Sequence, residues 1–361
     1  SVLFSDTPNP NIHLVDTLLL REVDIVKVFA PEHGFRGDHA NGDHIYDDID
    51  PKTNLPILSL HGKFRKPSKE SLSEVDLIIF DIQDVGARFY TYLSTLLLVM
   101  EAAAESDVEV LVLDRPNPHG HHVDGPMLDP AFKSFVGWAP VPVIHGMTFG
   151  ELAKMAVGEG WLEGGLTPRL TVLKCEGYAH SDRYMLSIAP SPNLPTHISV
   201  ELYPSLCFLE PTNVSIGRGT PTPFEIGGVP RGMTPNIPVG KDALSFTPVS
   251  TPGASPHPKH EDVVCVGENF QLRGEKWWME GPSWDLSILE TYANSFRNDE
   301  NEISGFFTSK GFFDKLAGTD QLRLCLEKGE GMEALKALWH KDLIEFRKDR
   351  QPYLLYPIQR N

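Results

Sequence analysis

"VDLIIFDIQDVGARFYTYLSTLLLVMEAAAESDVEVLVLD", residues 75–114, decides the fold. It begins and ends with short apolar runs, Val75–Phe80 and Val108–Leu113, each broken by one acidic residue. Between them, Tyr92 to Glu105 carries apolar residues at helical spacing, without proline or glycine. Strand, helix, strand is the pattern of two parallel strands joined by a crossover helix. The strands are continuous apolar runs, not alternating ones, which marks strands covered on both faces.

Working outward, "SVLF" (1–4), "DIVKVFA" (24–30), "LPILSL" (55–60) and "VPVIHG" (141–146) repeat the same run. "MTFGELAKMAVGEGW" (147–161) adds a helix. The expectation is an α/β chain with a Rossmann-like, doubly wound, mostly parallel sheet. Past residue 185 the texture changes. "APSPNLPT", "LEPTNVSIGRGTPTPFEIGG" and "SFTPVSTPGASPHPKHED" are rich in Pro, Thr, Ser and Gly, as binding loops are. Helical patterns return in "SWDLSILETYANSF", "KGFFDKLAGT" and "EGMEALKALWHKDLIEFRKDR". A boundary is expected near 232, with a catalytic domain over 1–232 and a smaller α+β auxiliary domain over 233–361.

The 361 residues carry 49 Asp and Glu against 32 Lys and Arg, a net charge of −17. That field argues against nucleic acid and anionic membranes as partners, but a local arginine can still receive an anionic small molecule. No stretch reaches the roughly 20 apolar residues of a membrane span. Cys175, Cys207, Cys265 and Cys325 have no zinc spacing, and three sit in apolar runs, so buried thiols are expected. No basic segment followed by an apolar run opens the chain, and Ser1–Phe4 already reads as strand. The expectation is a periplasmic or extracellular protein whose leader or lipid anchor preceded Ser1.

In open α/β sheets ligands bind beyond the carboxyl ends of the strands. Four such ends carry polar clusters: Pro31-Glu32-His33-Gly34, Asp81 to Tyr90, Asp114-Arg115-Pro116-Asn117, and His145. GxGxxG, GxxxxGK[ST] and GxSxG are all missing, which excludes the common dinucleotide, phosphate-loop and hydrolase-elbow sites. No cofactor is expected. Glu32, at the rim of an apolar strand, reads either as part of a polar turn or as a general acid, with His33 beside it. Asp84 and Tyr90 are the further catalytic candidates. Arg88 reads either as an ion-pair partner of Asp84 or as a fork for a substrate carboxylate. Asp114, Arg115, Asn117 and His145 either brace their turns or line the pocket. Asn193, Asn213, Arg218 and Glu225, on stiff proline-framed loops, suit a substrate with many hydroxyls.

"FAPEHGFRG", "FDIQDVGARFYTY", "VLDRPNP", "DGPMLDPAFKSFVG", "PVIHGMTFGELA", "PSPNLPT" and "YPSLCFLEPTNVSIGRGTPTPFE" together resemble the exo-β-N-acetylmuramidase family. The likeness covers nearly the whole chain in the family's order. It implies a Rossmann-like catalytic domain with a C-terminal auxiliary domain. It also implies release of N-acetylmuramic acid from the non-reducing end of peptidoglycan fragments. The family's acid/base glutamate falls on Glu32. One departure is Ser5-Asp6-Thr7-Pro8-Asn9-Pro10, where members usually carry an Asn-Pro-Thr-Gly-like turn. Such a sugar bears a lactyl carboxylate, for which Arg88, Arg115 and Arg218 are the candidates, with Arg36 further out. Asp84, Asp114 and Glu225 are candidates for a second carboxylate. Alternatively the substrate's own acetamide attacks, oriented by Tyr90 or Asn193. Two competing readings remain: a metal-dependent hydrolase using the His/Asp-rich segment 33–48, and a non-catalytic muropeptide-binding protein.

Overall fold

A computed structural model describes residues 2–3, 12–32, 34–35, 47–233, 243–281 and 284–359. The chain divides into two compact units along a line other than residue 232. One comprises Ser1–Gln83, Thr95–Arg115 and Phe149–Glu176; the other comprises Asp84–Ser94, Pro116–Thr148 and Gly177–Asn361. The chain leaves and re-enters each unit several times.

In the first unit, strands Leu77–Phe80, Glu109–Leu113 and Arg169–Leu173 form a parallel sheet with Glu109–Leu113 in the centre. Each step along it passes through a helix, Tyr92–Glu105 or Phe149–Gly158. The apolar runs are spent on this core. Ile78, Phe80, Val110 and Val112 are buried, as are Leu96, Leu97 and Met100 on the first crossover helix. Phe80 meets Phe149 edge-to-face at 5.7 Å, the favoured geometry for aromatic pairs. A second sheet pairs Val28–Ala30 with Pro56–Ser59 in parallel and adds Asp48–Ile49 antiparallel at the other edge. Val2–Leu3 pairs antiparallel with Ile12–His13.

The protein is α/β, but the expected strands do not join one sheet among the described residues. Arg169–Leu173 alternates between exposed and half-buried positions along the sheet edge, so it shows no apolar run. Pro142–Ile144, expected among the parallel strands, instead pairs antiparallel with Asp124–Met127 in the second unit. Its three residues are fully buried, and a short apolar run reports burial without reporting strand direction.

The rest of the second unit is an antiparallel sheet and a set of helices. Cys265–Asn269 lies between Ile226–Pro230 and Ala243–Phe246. The helix His197–Leu206 starts with a capping box in which Thr196 and Ser199 exchange side-chain and backbone bonds. The single helix expected over 330–350 is two, Met332–Ala337 and His340–Asp349. The break falls at Trp339, which is buried and donates its indole N–H to Asp124 Oδ1 at 2.9 Å. Anchoring that side chain outweighs continuing the helix. None of the four cysteines forms a disulfide; Cys207, Cys265 and Cys325 are buried and Cys175 is partly so.

Candidate active site

In the first unit, Val28–Ala30 ends in a tight turn. The Gly34 N–H returns to the Pro31 carbonyl at 3.1 Å, and Gly34 has φ +74°, a conformation that favours glycine. Glu32 sits inside this turn, partly exposed, two residues beyond the fully buried Ala30. His33, Arg36 and most of the His/Asp-rich segment 33–48 lie outside the described residues, as does the Ser5–Pro10 departure. Among the described residues no group of three or more His, Cys, Asp or Glu side chains could hold a metal ion.

Two further strand ends of this unit carry Asp81 and Arg115. Both Nε and Nη2 of Arg115 lie 2.6 Å from Asp81 Oδ1. Asp81 is buried, whereas the Arg115 side chain keeps 25% of its surface exposed. The pair therefore holds a guanidinium in a fixed orientation at the strand ends with part of it open. Asp114 is engaged locally. Its Oδ1 accepts the Gly150 N–H at 2.8 Å near the start of helix Phe149–Gly158, where a carboxylate is favoured by the unpaired amides and the helix dipole. A hollow of about 780 Å³ opens in this unit beside Asp76, Glu109 and Arg169. It lies at the starts of the parallel strands, the end opposite to that expected for chemistry.

In the second unit, the segment after Gln83 gathers several expected residues. Asp84 and His145 are both buried, with His145 Nε2 3.4 Å from Asp84 Oδ2. His145 Nδ1 accepts the Met147 N–H at 3.2 Å, so in the neutral ring the hydrogen sits on Nε2, facing Asp84. Asn117 is buried between two turns. Its amide donates to the Met147 carbonyl at 2.8 Å, and its oxygen accepts the His119 N–H at 2.7 Å. Tyr90 donates its hydroxyl to the Pro190 carbonyl at 2.7 Å and packs edge-to-face on Tyr92 and Tyr203.

Arg88 does not serve as a carboxylate fork. It is 0% exposed. Its Nη1 donates to the Pro126 and Val141 carbonyls at 2.8 and 2.7 Å, and its Nη2 to those of Leu316 and Ala317 at 3.0 and 2.7 Å. Burial lowers its pKa to about 9, so the cation persists at neutral pH with four carbonyl dipoles around it. It is a structural clasp.

The loop candidates are likewise engaged in holding the fold. The Asn193 amide donates to the Ala254 carbonyl at 2.7 Å, and that of Asn213 to Gly305 at 2.6 Å. Arg218 pairs with Glu210 at 2.6 Å and lies over the Phe224 ring. Buried Glu225 accepts from the Thr196 hydroxyl and from the Gln271 amide. Three residues that the sequence did not single out, His119, Glu201 and Arg350, join this network. His119 Nδ1 meets the Val85 carbonyl at 2.7 Å, and its Nε2 lies 3.7 Å from Glu201 Oε2. Arg350 donates to the carbonyls of His145 and Gly146 at 3.2 and 2.8 Å. The three histidines crowded into "HGHH" (119–122) were the available signal for the first.

Comparison with known proteins adds the family context. Residues 5–198 match the profile of the N-terminal domain of exo-beta-N-acetylmuramidase NamZ, and residues 201–356 match its C-terminal domain. Peptidoglycan beta-N-acetylmuramidase NamZ of Bacillus subtilis (strain 168) is 39% identical over 343 residues, 93% of this chain and 80% of that protein. Among solved structures, a DUF1343 family protein from Bacteroides fragilis NCTC 9343 superposes with TM-score 0.83 at 44% identity. It spans 97% of this chain and 91% of the other. A second protein of that family and organism gives 0.73 at 29% identity, over 96% and 90%.

Proposed function

The chain belongs to the exo-beta-N-acetylmuramidase NamZ family, and from that premise we propose how its residues divide the work. It is a glycoside hydrolase acting on peptidoglycan fragments, and it releases N-acetylmuramic acid from the non-reducing end. The observation that carries this is 39% identity to the Bacillus subtilis enzyme across 93% of the chain, with both family domains matched in order. Neither a metal-dependent hydrolase nor a non-catalytic binder is favoured by these relationships.

Cleaving a glycosidic bond needs a proton for the departing oxygen and a second group for the anomeric carbon. Glu32 is the proton donor. Its support is its place in a glycine-locked turn at the end of a buried strand. Asp84 is the second carboxylate, oriented by His145. The support is geometric: Asp84 is buried, with His145 Nε2 3.4 Å from its Oδ2. The acidic alternatives Asp114 and Glu225 are spent on a helix terminus and on Thr196 and Gln271. Tyr90 and Asn193, which would orient an attacking acetamide, donate to backbone carbonyls. For the lactyl carboxylate, Arg115 is the remaining fork, since Arg88 is enclosed by carbonyls and Arg218 is paired with Glu210. Held by Asp81, it meets an incoming anion without first losing rotamer freedom. Action on peptidoglycan points to a periplasmic or extracellular place of work; no helix among the described residues is long and apolar enough to cross a membrane.

Turnover of a chromogenic N-acetylmuramic acid glycoside and of a muramyl disaccharide by Glu32→Gln tests the donor. Loss of general acid catalysis is expected to lower kcat on the disaccharide by roughly 10²–10⁴-fold, with a smaller loss on the activated glycoside. Full kcat on the disaccharide removes Glu32 from this role. The anomer first released, read by NMR, tells whether Asp84 activates water or attacks the sugar itself.

A further inference from the structure

We propose that His119 is a positioning residue for Asp84, holding the neighbouring Val85–Gly86 peptide through the Val85 carbonyl. This rests on the reading of Asp84 as the second catalytic carboxylate. Val85 is the next residue along the chain, and its carbonyl lies 2.7 Å from His119 Nδ1. A carbonyl only accepts, so Nδ1 carries the hydrogen. The ring has no freedom to turn away. It is 0% exposed, and Glu201, on helix His197–Leu206 and itself 1% exposed, flanks its far nitrogen at 3.7 Å. Arg183 lies 3.8 Å from the other oxygen of Glu201. His121 stacks on His119 with ring centroids 6.4 Å apart.

The clasp closes on itself. Asn117 accepts the His119 N–H and donates to Met147, the residue whose own N–H holds His145 Nδ1. One short segment, 117–119, thus fixes both partners of the 3.4 Å Asp84–His145 contact, one through Val85 and the other through Met147. The fit allows no slack. Gly86 has φ +80°, and a Cβ there would lie 2.2 Å from Asn117 Oδ1 and 2.9 Å from His119 Cβ. Burial disfavours the charged ring and lowers the His119 pKa, partly offset by Glu201. The neutral ring still donates from Nδ1, so the clasp needs no charge to operate.

The test exploits the two nitrogens. An asparagine places its amide N–H where His119 has Nδ1; a glutamine places it where His119 has Nε2. With the muramyl disaccharide as substrate, His119→Asn is expected to keep kcat within about 3-fold of wild type. His119→Gln is expected to lower kcat by roughly 10–100-fold, the usual cost of losing an outer-shell orienting partner, with KM within about 2-fold. Equal kcat for the two variants overturns the proposal, as does a loss confined to KM. Asp84→Asn is run beside them. If it keeps full kcat, the reading of Asp84 itself fails; if it is inactive while the two His119 variants match each other, only the positioning role fails. A readout independent of turnover is the ring tautomer of His119 in the wild-type protein by long-range ¹H–¹⁵N NMR. Hydrogen on Nδ1 is expected, and a ring protonated at Nε2 alone overturns the clasp even if a variant does not fold.

Discussion

Arg88 and Arg115 both follow an apolar strand of the sequence, Arg88 four residues past Asp84 and Arg115 directly after Asp114. Their surroundings differ completely. Arg115 meets one carboxylate oxygen and keeps part of its guanidinium in water. Arg88 is withdrawn from water and meets four backbone carbonyls instead. A charge can be buried when enough dipoles replace its hydration, and a planar five-donor cation is well suited to collect them. A charge kept at a rim with a single counter-ion stays free to meet another anion. The comparison teaches that acceptor number, not sequence position, separates a clasp from a binding group.

The largest effect expected from this contrast is on stability. Arg88→Met leaves four buried carbonyls without their donor, and at about 1 kcal/mol or more for each unsatisfied group the loss should reach several kcal/mol in urea unfolding. A variant as stable as wild type would break the comparison. Arg115→Gln should behave in the opposite way. Its stability should fall by less than that of Arg88→Met, because one carboxylate rather than four carbonyls loses its donor. Its KM for N-acetylmuramic acid glycosides should rise by about 10-fold, the equivalent of roughly 1.4 kcal/mol of binding. An unchanged KM across substrates with and without the lactyl group would take the anion away from Arg115.

His121 sharpens the same contrast at smaller amplitude. Its neighbours in the second unit include other cationic side chains. Burial, then Arg183, His119 and His122, lower its pKa from 6.5 to about 3. The unfolded chain therefore binds a proton near pH 6.5 that the folded chain refuses until near pH 3. Stability should fall as pH drops through that window. His121→Gln should flatten part of the slope between about pH 6.5 and 5 in thermal unfolding, and an unaltered slope would refute this.

How far each feature could be read from the sequence follows the range of the interactions that make it. Leu77–Phe80, the crossover helix and Glu109–Leu113 were legible because local periodicity and continuous burial coincide there. Arg169–Leu173 was not, because its side chains are half-exposed and write no apolar run. Pro142–Ile144 announced its burial but not its antiparallel partner. The break at Trp339 depends on Asp124, 215 positions away. Among the proposed functional residues, Glu32 and Arg115 of the first unit and Asp84 and His145 of the second stand out in the sequence as polar residues after apolar runs. The enclosure of Arg88 could not, because its four acceptors are backbone atoms, and backbone acceptors carry no residue identity. His119 was overlooked for a related reason: its partner is the Val85 carbonyl, which any residue would supply.

The Arg88 clasp also orders events during synthesis. Two of its acceptors, Leu316 and Ala317, lie 228 and 229 residues further along the chain. At roughly 5–20 residues per second of translation, they follow it by tens of seconds. Through that interval only two of its four acceptors, the Pro126 and Val141 carbonyls, have been made. The second unit therefore closes late, once the C-terminal third has left the ribosome. A chain truncated before residue 316 would keep the Leu77–Phe80 strand yet present an unclaimed cation to chaperones.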